Sequence, residues 1–380
     1  MSDGVSIYLD HNATTPPYPE VVEAVTRCLR DGWGNPSSAH SIGSRATLTL
    51  ERARDHVSKL MGCDADRIVF TSGATESCNH VIANAHPIGV SAPALAISAI
   101  EHAAVMSATE REERNGRRVV IIPVDSNGVL SLDALETALL SGVRLVSIQW
   151  ANSELGTIQP VTEAIALARR YGALIHLDAC QSLGREPMCL DSLDPDFVSV
   201  SGHKIGAPPG IGALYIRDRK TLASLAVGGD QEKRRRAGTE NLSGAVGFGE
   251  AARIRHEAIG SLSAQWHVIR SEFESRVMKF GHVNAVGAPR VANTTSLTIP
   301  AIDGAALVAR LDRIGVQVSL GSACHSSRPE PSHVLRAIGM TEGDAYSTIR
   351  VSLGWNTTRE EVLCTPSRIE SLITNALVTN

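Results

Sequence analysis

The chain has 380 residues, a formal net charge of −4 at pH 7 and 43% hydrophobic residues, enough for one large or two medium cores. This charge favours neither nucleic acid nor anionic membranes, no apolar run could span a bilayer, and the amino terminus lacks a signal-peptide pattern. The seven cysteines are never spaced as C-x-x-C, so no disulfide framework or metal site is predicted. We expect a soluble, cytoplasmic protein without membrane attachment or direct nucleic-acid binding.

Apolar, β-branched runs alternate with helical repeats through the first 216 residues. The predicted strands are a short one within 7–16, then 68–71, 95–98, 119–123, 145–150, 174–178, 197–200 and one that ends at 216. The predicted helices are 19–30, 44–61, 75–85, 104–114, 132–140 and 161–171. This alternation predicts an α/β fold with a mostly parallel sheet between helices, in which ligands bind beyond the carboxyl ends of the strands.

The pattern changes after Asn241. The predicted elements there are helices 242–255, 261–279 and 304–311 and strands 293–299, 315–319 and 347–353. Fewer strands between longer helices predict a second, smaller α+β domain that starts near residue 250.

The stretch from Asp196 to Leu214 places Lys204 in a loop rich in glycine and proline between two buried strands. A lysine at such a position is poorly solvated, which lowers its pKa and leaves part of it as free amine. A free amine condenses with the aldehyde of pyridoxal phosphate, and Ser201 and His203 offer donors for its phosphate. Taken alone, the pattern also fits a solvated loop lysine.

Two further strand ends carry polar residues that suit the same cofactor. In 71–76 the start of a helix and the Thr75 hydroxyl form an anion site, although the residues also fit a plain N-cap. Asp178 ends an apolar strand, where a carboxylate needs a partner such as a protonated pyridine nitrogen. Gln181 lies one helical step further on, within reach of the phenolic oxygen of the ring.

Three more residues have side chains that are unusual for their position. His102 follows a strand and could stack on a cofactor ring and move protons, although a lone histidine is more often structural. Arg350 is a charge within an apolar strand, which suits two-point binding of a substrate carboxylate. Cys324 lies near the centre of a small polar loop over 319–331, which indicates a reactive rather than a structural cysteine.

Together these segments resemble the cysteine desulfurases, a group of class-V aminotransferase-like enzymes with the fold-type I architecture of pyridoxal-phosphate enzymes. The matching segments are 8–16 (YLDHNATTP), 35–40 (NPSSAH), 71–76 (TSGATE), 101–102 (EH), 176–181 (HLDACQ), 201–204 (SGHK), 236–241 (RAGTEN), 321–324 (GSAC) and 349–354 (IRVSLG). The resemblance implies a large cofactor-binding domain over 15–250. It also implies a small domain from 1–14 and 251–380 that carries the cysteine loop.

The resemblance also implies the site residues. The cofactor site would comprise Ala74, Thr75, His102, Asp178, Gln181, Ser201, His203, Lys204 and Thr239 of the partner subunit in a homodimer. The substrate site would comprise Asn12, Asn152, Ser153 and Arg350. Lys204 would hold pyridoxal 5'-phosphate as a Schiff base and move the Cα proton, while His102 stacks on the ring. Cys324 would attack the sulfur of L-cysteine, giving L-alanine and a persulfide that passes to an acceptor.

Two positions depart from the usual family pattern. Ser153 replaces an asparagine that contacts cofactor and substrate, and its shorter side chain puts that contact in doubt. Asp230 follows Gly228 and Gly229 where a third glycine is common. The basic run 233–236 is interpreted as a local segment for phosphate and dimer contacts rather than for nucleic acid.

Other readings stay open at this stage. One is a selenocysteine lyase, suggested by His325 next to Cys324, and another is an aminotransferase, which would have no use for that cysteine. A third is a non-enzymatic scaffold for sulfur transfer, against which the presence of Lys204, Asp178 and Cys324 argues. The resemblance leaves the protein acceptor undetermined among iron–sulfur scaffolds, tRNA thiolation and DNA phosphorothioation components.

Overall fold

The computed structural model describes residues 6–90, 93–224, 226–320 and 331–378, with side chains as far as 374. The strands are β1 (Ile7–Tyr8), β2 (Ile68–Thr71), β3 (Ala94–Ser98), β4 (Val119–Ile122), β5 (Val143–Gln149), β6 (Leu174–Asp178), β7 (Phe197–Ser201), β8 (Gly212–Ile216), β9 (His282–Val283), β10 (Thr294–Thr298), β11 (Val316–Gln317), β12 (Ser319–Leu320) and β13 (Thr348–Ser352). The helices are α1 (Pro19–Asp31), α2 (Ser41–Met61), α3 (Ala74–Asn84), α4 (Ala103–Arg114), α5 (Leu132–Leu140), α6 (Val161–Arg170), α7 (Leu190–Leu193), α8 (Gln231–Arg234), α9 (Leu242–Val277), α10 (Gly304–Arg313), α11 (His333–Ala337), α12 (Glu342–Tyr346) and α13 (Arg359–Val378).

The large sheet has the strand order β2-β8-β7-β6-β5-β3-β4 within the described residues. Neighbouring strands pair in parallel except at β8, which is antiparallel to β2 and β7. Its central strands are buried on both faces because they are apolar runs covered by helices on each side. The predicted α/β sheet is confirmed, and the predicted element ends in this part lie within three residues of those observed.

The register of the large sheet brings two predicted site residues together. Asp178, the last residue of β6, pairs with Ser199 of β7. The chain leaves β7 after Ser201 and reaches Lys204 in the next turn. Because parallel strands end at the same edge of a sheet, the carboxylate and the amine lie at one edge.

The smaller part of the fold contains an antiparallel sheet with the order β12-β13-β10-β9 and a parallel pair, β1 and β11. The prediction of one strand over 315–319 was wrong, because Val316 and Gln317 pair with β1 whereas Ser319 and Leu320 pair with β13. The chain therefore changes partner strands around Val318.

Helix α9 connects the two parts. The sequence predicts two helices, 242–255 and 261–279, but the structure has one continuous helix from Leu242 to Val277. Gly260 alone between the two patterns does not end it, because a single glycine in a helix costs only about 1 kcal/mol. The predicted domain boundary at residue 250 therefore falls inside α9, and the division into domains stays a prediction.

The amino-terminal segment runs from the small sheets to the lysine loop. Leu9 donates from its backbone N to Gln317 O over 2.8 Å, and Ser352 N donates to Leu9 O over 2.8 Å. Six residues after Leu9, Thr15 N donates to the carbonyl of His203 over 3.0 Å. This segment therefore lies between the large sheet and β13. No helix in the described part of the chain is both long and apolar enough to cross a membrane.

Candidate active site

A cavity of about 530 Å³ lies at the carboxyl edge of the large sheet, within the size range of small-molecule sites. It brings together most of the predicted site residues: Asn12, Ala74, Thr75, His102, Ser153, Asp178, Gln181, Ser201, His203, Lys204 and Arg350. These residues span 338 positions of sequence between Asn12 and Arg350, so the fold alone assembles them.

Two of the described site residues are not brought into this cavity. Asn152 is buried behind its wall, and Thr239 is exposed and lines a separate cavity together with Arg236. Cys324 lies outside the described residues.

Lys204 is an amine with little access to water. Its Nζ donates to the backbone carbonyls of Asn12 over 2.6 Å and of Ala13 over 2.8 Å. Burial lowers its pKa to about 8, and the nearby Arg185 and Arg350 cations act in the same direction. At neutral pH the side chain therefore retains a fraction of free amine, as the sequence predicts.

The start of α3 faces the cavity beside Ser201 and His203. No side chain caps this helix, so the first backbone N–H groups, including those of Ala74 and Thr75, are available to an anion. Gly212 on β8 allows this turn to approach closely, since a Cβ there would lie 2.7 Å from the Cα of Gly73.

His203 is neutral at physiological pH in this arrangement. Burial, together with the charges of Lys204 and Arg185, lowers its pKa to about 4. Its Nδ1 lies 3.1 Å from the hydroxyl of Thr14, which places it between the amino-terminal segment and the lysine. A neutral imidazole can still donate one hydrogen bond to an anion.

Asp178 and Gln181 lie on the sheet side of the cavity. Asp178 is 2% exposed, and its Oδ1 accepts a hydrogen bond from Cys180 N over 3.0 Å. Gln181 donates from Nε2 to Asn12 O over 3.0 Å, and its Oε1 accepts from Arg185 Nη1. On the opposite wall, His102 caps α4 by accepting from Ala104 N over 3.1 Å.

Arg350 points from β13 into the cavity. Its Nη2 donates to Asp10 Oδ1 over 2.6 Å and its Nη1 to the carbonyl of Ser153 over 3.2 Å. Its Nε is buried and has no hydrogen-bond partner among the described residues. A buried donor without a partner is costly, and Arg350 lines the cavity, so its guanidinium suits an anionic ligand group.

The loop after β5 explains how Ser153 and Asn152 participate. Ser153 offers its backbone carbonyl to both Asn12 and Arg350, and any residue type supplies that contact. The Asn152 amide is occupied within the protein: it donates to Ile100 O and Gln149 Oε1, and accepts from the backbone N–H groups after Ser153. Its contacts shape this loop and none of them is directed into the cavity.

Several polar residues of the site were not predicted from the sequence. Asp10 and Arg185 contact Arg350 and Gln181, and Glu154 accepts a hydrogen bond from Ser332 Oγ over 2.6 Å. The spacing of four residues between Gln181 and Arg185 is the signal that predicts their contact in a helical turn. The other pairs are far apart in sequence, so no local pattern shows them.

The residues present fit pyridoxal phosphate. An uncapped helix start suits its phosphate, the Asp178 carboxylate suits a pyridinium, and the Lys204 amine suits its aldehyde. The orphaned Nε of Arg350 leaves a donor for a second anion, such as a carboxylate. Within the described residues, no group of three or more His, Cys, Asp or Glu could hold a metal ion.

Comparisons with known proteins agree with this chemistry. The family described as Aminotransferase class-V matches residues 7–364. The cysteine desulfurase IscS of Dictyoglomus turgidum is 38% identical over 372 residues, which cover 97% of this chain and 94% of that protein. Among solved structures, a NifS-like protein matches with a TM-score of 0.90 at 34% identity, covering 97% of this chain and 100% of the other. SspA in complex with cysteine matches with a TM-score of 0.79 at 32% identity, covering 92% and 99%.

Both the family match and these identities extend over nearly the whole chain. This chain therefore belongs to the class-V aminotransferase family and, within it, to the cysteine desulfurases.

Proposed function

We propose that this protein is a pyridoxal-phosphate-dependent cysteine desulfurase that converts L-cysteine to L-alanine and carries the sulfur as a persulfide on Cys324. The observation that supports it most is one cavity containing the buried amine of Lys204 and the unpartnered Nε of Arg350. An amine condenses with an aldehyde cofactor, and a guanidinium binds the carboxylate of an amino acid. Relatives named cysteine desulfurases, and a similar structure in complex with cysteine, support the substrate.

Pyridoxal phosphate, when bound, supplies an electron sink next to the Cα of the amino acid. Lys204 would hold it covalently, and the helix start at Ala74 and Thr75, with Ser201 and His203, would bind its phosphate. Asp178 would face the pyridine nitrogen.

Two other cavity residues would complete the cofactor site. Gln181 would donate to the phenolic oxygen, and His102 would cover the ring on the wall formed by α4. The described contacts hold these side chains in place before any ligand binds, which reduces the entropy lost on binding.

Arg350 would bind the substrate, and Lys204 would transfer its proton. Arg350 would bind the carboxylate with its free Nε and so orient Cα toward Lys204, while Asn12 and the Ser153 carbonyl border the same pocket. Lys204, released as an amine with a pKa near neutrality, would accept and return the Cα proton.

Cys324 would take the sulfur. Its thiolate attacks the substrate sulfur, an S–S bond forms and the Cβ–S bond breaks, leaving the electron pair on the carbon skeleton. Protonation of that carbon gives alanine, so the reaction needs no external oxidant or reductant. The persulfide sulfur then passes to a protein acceptor, whose identity among the iron–sulfur, tRNA-thiolation and DNA-phosphorothioation pathways stays open.

The oligomeric state and location stay predictions. Thr239 is exposed and lines a different cavity from Lys204, which supports the proposal that it serves the site of a second subunit in a homodimer. A cytoplasmic location is expected from the sequence.

The test supplies the purified protein and cofactor with L-cysteine or L-selenocysteine and measures alanine. Alanine from cysteine, with a persulfide on the peptide that contains Cys324, supports the proposal. Alanine from selenocysteine alone would make it a selenocysteine lyase, and a keto acid product would make it an aminotransferase. Protein that binds no cofactor, seen as a missing absorbance band, would leave the scaffold role.

A further inference from the structure

Arg185 is a buried cation directly behind the cofactor site. It is 3% exposed, and no carboxylate in the described part of the chain lies within ion-pair distance of it. Its Nη1 donates to the carbonyl and the Oε1 of Gln181, and its Nη2 donates to His11 O over 3.4 Å. A buried charge without a counterion is costly in free energy, so a cation at this position is expected to have a specific role.

The first consequence of these contacts is the orientation of the Gln181 carboxamide. Arginine can only donate hydrogen bonds, so the atom that faces it must be the oxygen Oε1. The donor Nε2 is thereby turned toward the cavity side, where it contacts Asn12 O over 3.0 Å. Asn12 O can only accept, so it favours the same orientation, and Arg185 fixes the opposite end of the amide.

The second consequence concerns the lysine. Asn12 O also accepts from Lys204 Nζ over 2.6 Å, and Arg185 contacts the carbonyl of the residue before it, His11. Arg185 therefore contacts Gln181, which shares the Asn12 carbonyl with the lysine amine, and the residue that precedes Asn12.

The third consequence is electrostatic. The charged or titratable groups that act on Lys204 include Cys180, Arg185, Arg350, Asp178 and the adjacent His203, whose lowered pKa of about 4 leaves it neutral at pH 7. Burial raises the pKa of Cys180 well above its usual value, so this thiol is neutral at pH 7. Burial and the Arg255 and Arg350 cations lower the pKa of Arg185 to about 9, so it stays charged at pH 7.

Only two of these charges oppose protonation of the lysine. Arg350 is compensated by Asp10 at 2.6 Å, whereas Arg185 has no such partner among the described residues. Asp178 acts in the opposite direction and favours the protonated amine.

We propose that Arg185 is a positioning residue of the cofactor site, which fixes the Gln181 carboxamide with its donor toward the cofactor and sets an uncompensated positive charge behind Lys204. The proposal deepens the proposed function and rests on it for the role of Gln181. The effect on Lys204 is a property of the protein alone and can be measured without any turnover.

The experiment titrates Lys204 in the full-length protein after removal of cofactor. Reductive methylation with formaldehyde and cyanoborohydride modifies only the free amine, and mass spectrometry of the Lys204 peptide against pH gives its pKa. Removal of a nearby like charge raises a lysine pKa by about one unit. We therefore expect an upward shift of about one unit in Arg185→Met.

A second variant, Arg185→Lys, tests the hydrogen bonds. Arg185 reaches Gln181 through Nη1 and His11 O through Nη2, and the single ammonium of a lysine cannot supply both contacts, so Arg185→Lys should bind pyridoxal phosphate more weakly and with an altered visible dichroism band. Arg117→Met is the matched control: Arg117 is also buried and donates to two backbone carbonyls, of Pro93 and Ile82, but it lies outside the cavity. It should change neither the Lys204 titration nor the dichroism.

The outcomes decide between the alternatives. An unchanged Lys204 pKa in Arg185→Met would overturn the electrostatic part. An unchanged dichroism band and affinity in Arg185→Lys would overturn the orienting part. Should Arg185→Met not fold, Arg185→Gln removes the same charge while keeping an amide donor. Failure to bind pyridoxal phosphate in wild type as well would instead contradict the proposed function.

Discussion

Arg350 Nη2 donates to Asp10 Oδ1 over 2.6 Å, and this ion pair joins β13 to the amino-terminal segment that receives Lys204. The pair occupies Nη2 of the guanidinium. The Nε atom of the same group is buried and has no hydrogen-bond partner among the described residues. Arg350 is therefore held in place before substrate arrives. A carboxylate that accepts a hydrogen bond from Nε would remove the free-energy cost of this unpaired buried donor, which favours substrate binding.

Arg350→Lys should raise KM for cysteine and lower kcat/KM roughly 10- to 100-fold, because lysine cannot supply a second directed donor while bound to Asp10. Cofactor absorbance should be retained. Steady-state kinetics with alanine detection, alongside the cofactor spectrum, tests this. An unchanged KM would remove Arg350 from the substrate site.

Lys204→Ala should abolish covalent attachment of cofactor, because no other lysine lines the cavity in the described part of the chain. Borohydride treatment followed by peptide mass spectrometry should find the adduct on Lys204 in wild type and on no lysine in the variant. An adduct at another lysine together with full turnover would contradict the assignment.

Cys324→Ser should bind cofactor and cysteine but release almost no alanine. A hydroxyl is scarcely ionised at neutral pH and cannot form a persulfide. The measurement follows the cofactor spectrum and alanine after mixing with cysteine. Cys180→Ser is a control, because Cys180 is a buried thiol whose raised pKa makes it a poor nucleophile. Near-wild-type alanine release by Cys324→Ser would contradict the proposed role of Cys324.

Lys204→Met should make the cofactor-free protein more stable at neutral pH, and this advantage should shrink as pH rises. The pKa of Lys204 is about 8 when folded and about 10.4 when unfolded, so the unfolded chain holds more protons between these values. The wild type therefore gains stability relative to the variant across that window. Urea unfolding at several pH values measures the difference, and a constant difference would contradict it.

Gly260→Ala should raise the free energy of unfolding by about 0.5–1 kcal/mol, because Gly260 lies inside α9 and an added Cβ would meet no atom within 4 Å. Gly249→Ala, in the same helix, is the matched contrast. Its Cβ would lie 2.6 Å from the Cα of Ala53 on α2, so it should destabilise the protein. Equal effects in the two variants would mean that helix propensity alone decides them.

Local patterns in the sequence predicted much of the large sheet and its cofactor chemistry. Apolar runs identified β6 and β7, and polar residues directly after such runs pointed to Asp178 and Lys204, because strand ends in parallel sheets face the ligand. The reduced basicity of Lys204 followed from the same argument, since burial after an apolar strand is a local property.

Other features depended on contacts between residues distant in sequence. Periodicity could not show that α9 is one helix, because a lone glycine is compatible with either reading. It also could not show that residues 315–320 divide between two sheets, since strand pairing is decided by the neighbour that each edge meets.

The sequence by itself therefore determined the class of fold and the residue types of the site, because both follow from hydrophobic periodicity and from polar residues at strand ends. Only the tertiary structure decided how these residues are supported. The pairs Arg350–Asp10 and Glu154–Ser332 join residues 340 and 178 positions apart. Burial strengthens each of these hydrogen bonds because water no longer competes for the donor and acceptor. Even the contact of Arg185 with Gln181, four residues apart, acquires its effect on Lys204 only through the fold that buries this pair beside the cavity.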